Sequence, residues 1–283
     1  MILETLLIAS AWFWAPMPQG QALVCQTSHI KECLAQLPPE ARAQFPLNSQ
    51  TLVSQMGRRG AMVRPLGDLG VTNLSVTGLV LLAEARIPKS YSALWNGQVY
   101  ALPIAQAKQM TLAHELGHLA VSRSRSTYLQ VDKLTPYQHE WLADFYLLWS
   151  LAKADWPETL AWQQYHRRNL EVFENVKAIS HWSTPMLSQL LTRYSWQALG
   201  AFEDFDSLID AIYPDLVQYD QETLDEFASL LHRVFGAATQ AKLPHYMFWR
   251  RPEMGVIIRP TLNHLMGEQA ADRWLTEQAM QGE

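Results

Sequence analysis

The chain has two cysteines in 283 residues, no run of like charges, no internal repeat and no low-complexity tract. Each lack removes a class of protein. Two thiols alone cannot complete a cysteine-based zinc site. A formal net charge of -5, spread without blocks, leaves no basic footprint for nucleic acid. No apolar run reaches the roughly 20 residues that a membrane-spanning helix needs, so no stable transmembrane anchor is expected. What is present is 48% hydrophobic residues, with 11 Trp, 10 Tyr and 9 Phe. That is enough for a sizeable core, and it also suits a groove that receives apolar side chains.

The N-terminal stretch MILETLLIASAWFWAPMPQGQALVCQ has an apolar run from Leu6 to Trp14, a Pro-containing break, and small residues at Gly20 and Ala22. This is the outline of a signal peptide over residues 1–22, with cleavage near Ala22. It departs from the outline in carrying Glu4 and no Lys or Arg ahead of the run. Val24 before Cys25 fits a lipoprotein signal poorly. Export to the periplasm or beyond would place Cys25 and Cys33 in an oxidising compartment, where an even count favours one disulfide closing a short loop.

Residues 27–57 read as short helices divided by Pro-rich punctuation, with Asn48 or Ser49 as a cap. From Ala61 the β-prone runs AMVRP, LSVTGLVLLAEARIP and QVYALPIA predict a small mixed sheet, with Asn96-Gly97 as a tight turn. After Asp132 the apolar period is helical, with breaks at Trp156-Pro157, Ser183-Thr184-Pro185, Tyr213-Pro214, Leu243-Pro244 and Arg259-Pro260. The expected fold is α+β: a small mixed sheet preceding a motif-bearing helix, then a mostly helical C-terminal body. Residues 23–155 carry the sheet and the motif, and residues 156–283 pack on them as a helical part of one continuous domain or as a second unit.

The motif is His114-Glu115-Leu116-Gly117-His118. Positions i and i+4 of a helix lie on one face about 6 Å apart, so both imidazoles can aim at one ion. Glu115 sits about 100° round, beside that ion, where a carboxylate can take a proton from water whose pKa zinc lowers. Leu112, Leu116 and Leu119 make the opposite side apolar, and two buried histidines without partners would be costly. Gly117 costs about 1 kcal/mol in helix propensity against Ala, which close approach of another segment would explain. A catalytic zinc site takes three protein ligands and an open position. Glu140, separated from His118 by 21 intervening residues and set in an otherwise core-like stretch, supplies the third. Asp144, on the same helical face, is placed to accept a hydrogen bond from His114 and fix its tautomer. His139 points about 100° away from Glu140 and ranks behind it.

His114-Glu115-x-x-His118 with Glu140-x-x-Ala143-Asp144 resembles the gluzincin metallopeptidases, the thermolysin-like and HtpX-like group, over roughly residues 75–150. The resemblance implies Zn2+, hydrolysis of peptide bonds in a peptide or protein substrate, and a substrate strand along a sheet edge, in QVYALP or LVLLAEARIP. Gly60-Ala61-Met62 is similar to the aminopeptidase signature, yet Val63 and Arg64 stand where that signature has Glu and Asn, so endopeptidase is the better reading. Glu115 is then the general base and His114, His118 and Glu140 the metal ligands. His181, Tyr246 and Arg250 are candidates to stabilise an oxyanion. His166, His232 and His264 read as structural or exposed, and His166-Arg167-Arg168-Asn169 as a solvated helix face. Two rivals stand beside this reading: a non-catalytic envelope protein with a structural zinc or partner-binding site, and a zinc hydrolase of a non-peptide bond.

Overall fold

Val76–Leu82 is apolar at nearly every position and has no polar alternate face, the pattern of a strand covered on both sides. In the computed structural model, which describes residues 11–46, 48–67, 76–236 and 249–281, this stretch is β4, buried at every position. It lies inside a four-stranded sheet ordered β1-β2-β4-β3, with β1 Trp12–Met17, β2 Gly20–Gln26 and β3 Ala61–Pro65. β2 pairs parallel with β4, while β1–β2 and β3–β4 are antiparallel. The sheet is therefore mixed, and β3 is one of its edges. Strand alternation sorts its two faces. Leu23, Cys25, Leu79 and Leu81 pack with the short helices α1 Ile30–Leu34, α2 Pro39–Ala43 and α3 Ser49–Met56. Ala22, Val24, Val80 and Leu82 pack against the helical body. Asn48 caps α3 by accepting a hydrogen bond from the Gln50 amide at 2.9 Å.

Two of these strands come from the stretch whose sequence outlines a signal peptide. Residues 1–10 lie outside the described residues, but Trp12–Gln26 is a hairpin whose second strand is central to the sheet. Ala22 is fully buried. Cleavage after Ala22 would strip off β1 and divide β2, so this fold requires that the chain stay intact there. An apolar run of this length fits a leader and a buried strand equally well, and only its pairing partners separate them. Cys25 and Cys33 are joined in a disulfide that ties β2 to α1.

β5 Ser90–Trp95 and β6 Gln98–Pro103 form a separate two-stranded hairpin, not an extension of the main sheet. Asn96 and Gly97 both adopt positive φ, 51° and 73°, the left-handed pair that a tight hairpin turn demands. The rest is helical: α4 Ala107–Ser122, α5 Pro136–Lys153, α6 Thr159–Glu174, α7 Thr184–Arg193, α8 Trp196–Ala201, α9 Phe205–Ile212, α10 Gln221–Phe235, α11 Arg250–Met266 and α12 Glu268–Glu277. The fold is thus α+β with a mostly helical C-terminal body. The main core runs from Ala15 to Leu224, so its packing continues across residue 155 without a break. The expected breaks near Pro157, Pro185 and Pro214 coincide with helix ends or a 3-10 turn; Leu243-Pro244 lies outside the described residues. Arg259-Pro260 is a correction, because α11 runs through Pro260. Burial of Ile257, Ile258, Thr261 and Leu262 on either side of it outweighs the lost backbone hydrogen bond.

α4 and α5 cross at Gly117. A Cβ there would lie 2.7 Å from the Ala143 carbonyl oxygen and 2.8 Å from its Cα, so the glycine is what lets the two backbones meet. Gly117→Val should destabilise the protein by about 1–3 kcal/mol through overpacking, measured as a lowered urea midpoint at unchanged m-value. An unchanged midpoint would show that the helices separate freely.

Candidate metal centre

The start of α4 is fixed from α6: the Gln163 side chain accepts from the Ala105 amide at 2.8 Å and donates to the Ala105 carbonyl at 2.9 Å. α5 opens on a capping box, Thr135 with Gln138, and Pro136 in its first turn. With both helices so anchored and touching at Gly117–Ala143, their facing side chains meet. One ligand atom from each of His114, His118 and Glu140 lies within 4.8 Å of the others. His114 Nε2 is 3.3 Å from Glu140 Oε2, and His118 Nε2 is 3.6 Å from Glu140 Oε1. Glu140 Oε2 is buried and accepts no hydrogen bond of good geometry. A carboxylate that faces one imidazole with each oxygen, with Oε2 left without a hydrogen bond and His114 aimed by Asp144, is the donor set that a divalent ion such as zinc would satisfy.

Asp144 is fully buried and is met on every side. It is 2.7 Å from His114 Nδ1, accepts from Gln164 Nε2 at 2.8 Å, and takes two bonds from Arg168, Nε at 2.7 Å and Nη2 at 3.0 Å. Ser183, just ahead of α7, donates its hydroxyl as well. Arg168 Nη2 also stands 3.5 Å from Glu140 Oε2, and its Nη1 bonds Glu171. The expectation of a solvated face at residues 166–169 is therefore overturned. Arg168 is 2% exposed, and Asn169 bonds Thr261 and Trp182 in the interior. The sequence did hold a signal: Gln164, Arg168 and Glu171 fall at i, i+4 and i+7, a polar stripe on a single helical face. His166 bonds Thr261 and stacks on His264, a structural role as expected.

These charges set the protonation of the metal-free chain. Burial disfavours a charged His114, but the Asp144 and Glu140 carboxylates outweigh it and raise its pKa to about 9. Burial, reinforced by the neighbouring His114 charge, lowers His118 to about 3. Burial raises Glu115, with His114 working against it and Glu140 with it. Burial also acts against the charged forms of Glu140 and Asp144, yet both are held well below the usual carboxylate range. His114 and Arg168 prevail at Glu140, and Arg168 ahead of His114 at Asp144.

The group opens into a cleft of about 840 Å³. Glu115, Thr111, His139 and His181 line it, together with β3. The sheet edge beside the histidines is thus Ala61–Pro65, which corrects the expectation of QVYALP or LVLLAEARIP. β4 is interior, and β6 belongs to the separate hairpin. His181 ends the 3-10 turn Val176–His181 and is half exposed, with Nε2 3.6 Å from Glu140 Oε1. His139 borders the cleft but is not part of the three-residue group. Arg250 pairs with Glu226 and Glu253 away from the cleft. Tyr246 lies outside the described residues.

A zinc ion held by this group would have to displace the proton from His114, so the sign of its pH dependence follows. Apparent affinity, read by competition with a chromophoric chelator, should rise about tenfold per pH unit up to about 9 and level off above it. A flat profile from pH 6 to 9 would contradict a protonated His114. Arg168→Met should leave Asp144 without its counter-charge, costing about 3–5 kcal/mol in denaturant unfolding, with Arg168→Lys recovering part of the loss. Compared with protein-family models, curated proteins and solved structures, the chain matches none.

Proposed function

We propose that the protein is a zinc-dependent peptidase of the gluzincin type, cutting within polypeptides. The observation that carries this reading is the position of Glu115. Glu115 lines the same cleft as His114, His118 and Glu140, beside a strand that is a sheet edge among the described residues. A purely structural metal site has no use for that carboxylate or for an open cleft of this size.

In this reading His114, His118 and Glu140 hold zinc, and Asp144 keeps His114 in the tautomer that presents Nε2 to it. Zinc supplies a Lewis acid that polarises a carbonyl and brings the pKa of water toward neutrality. β3 offers its free backbone groups to an extended substrate, which supports a polypeptide over a compact small molecule. Glu115 takes the proton of the attacking water and returns it to the leaving amine. Burial, which raises its pKa, favours that second role. His181 stands across the cleft near Glu140 and donates to the oxyanion of the tetrahedral intermediate. Export belongs to the same reading, supported by the Cys25–Cys33 bond.

Glu115→Gln should retain about one zinc per chain by metal analysis and lose about 10³-fold or more of the cleavage of a denatured protein substrate. Full activity in that variant would overturn the mechanism. His181→Ala should lower kcat about 10²-fold with a small change in KM, whereas a loss confined to KM would make it a ground-state contact.

A further inference from the structure

β3 is entered through Arg58-Arg59-Gly60, and this end of the cleft is strongly basic. Arg86 joins the two arginines there: its Nη1 donates to the Gly57 carbonyl at 2.6 Å, and the Ala83 amide bonds the Gly60 carbonyl at 2.8 Å. All three arginines line the cleft. Among the described residues none is paired with a carboxylate, whereas Arg167 and Arg168 on the facing wall are both engaged by acids. The Arg59 guanidinium donates from Nε to the Met56 carbonyl and from Nη2 to the Gln55 carbonyl at the end of α3, which holds the group in place; among the described residues no acid compensates its charge. Its charge also favours the ionised form of Glu115. Of the carboxylates that line the cleft, Glu140 belongs to the metal group, Glu115 stands beside it and Glu171 is held by arginine. Among the described residues that line the cleft, Glu174 is the one acid left to set against the three arginines.

Direction follows from the strand. A chain adding antiparallel to β3 places its C-terminal end beside Arg58–Gly60, and one adding parallel places its N-terminal end there. The arginines favour a carboxylate at that end and disfavour an ammonium. We infer that the cleft selects polypeptides carrying a carboxylate on the C-terminal side of the bond presented to Glu115, bound by Arg58, Arg59 and Arg86. The carboxylate is either an acidic side chain or the chain's own C-terminus. This inference rests on the cleft's holding a peptide, the reading proposed above.

The test is binding of zinc-loaded Glu115→Gln protein, by fluorescence anisotropy, to four N-terminally labelled peptides of one neutral sequence. One has a free C-terminus, one a C-terminal amide with a single Glu, one a neutral amide, and one an amide with a single Lys. At about 0.05 M salt at least one carboxylate-bearing peptide should bind about five- to tenfold tighter than the neutral amide, and the Lys peptide no better than it. Whichever of the two carboxylate peptides gains identifies the source of the charge. The advantage should shrink at about 0.5 M salt and fall at least threefold in Arg58→Glu. Arg58 makes no hydrogen bond to the end of α3, and an unchanged melting temperature checks that the fold is intact. Equal binding of all four peptides, no binding of any, or an advantage that survives both Arg58→Glu and Arg86→Gln overturns the inference. If the unsubstituted protein cuts no peptide while the carboxylate preference persists, the catalytic reading falls and this one stands.

Discussion

A carboxylate taken wholly out of water costs several kcal/mol unless its charge and its lone pairs are met. Asp144 is met by donors from α4, α6 and the residue ahead of α7, with Arg168 as its counter-charge. Much else in the molecule depends on this one burial. It holds the middle of α5 against α4 and α6, sets the ring orientation of His114, and places Arg168 within reach of Glu140. A residue that supports a ligand is at the same time the tie between three helices, so the site and the centre of the helical body cannot be altered separately.

The charge balance of the interior points the same way. Arg168 offsets Asp144, and Arg167 bonds Glu171. That leaves Glu115 and Glu140 as two negative groups beside two imidazoles. In the metal-free chain a proton on His114 meets part of this charge, and a divalent cation would meet all of it. The same reasoning separates the two walls of the cleft: largely buried arginines that serve the protein's own acids on one side, and exposed arginines with no acid of their own among the described residues on the other.

How far the sequence could be read depended on the range over which each signal acts. His114, Glu115 and His118 were legible because helical period alone puts them on adjoining faces, and Glu140 and Asp144 because carboxylates stand out among Trp141, Leu142, Phe145 and Leu148. Gly117 was legible as a need for close approach, although Ala143 as the neighbour was not. Arg168 was missed because a basic pair beside His and Asn looks like a solvated face until its acid partners are known, and two of these, Asp144 and Glu140, lie on another helix. The strands within Trp12–Gln26 went unread for a related reason. A buried strand and a leader share composition, and what distinguishes them is the β4 pairing from 50 or so residues away. β3 carried a cue in Gly60-Ala61-Met62, but only the strand order showed it to be the edge beside the histidines.

The contact at Gly117 has one further consequence. His114 and His118 ride on one helix and Glu140 on the other, so the distance between the helix axes fixes the width of the hole among the three side chains. Zinc is gripped at about 2.0–2.2 Å by nitrogen and oxygen, and calcium at about 2.3–2.6 Å. For any ion held there the missing Cβ at Gly117 would act as a gauge: it keeps the jaws narrow, and a wider spacing would suit a larger ion.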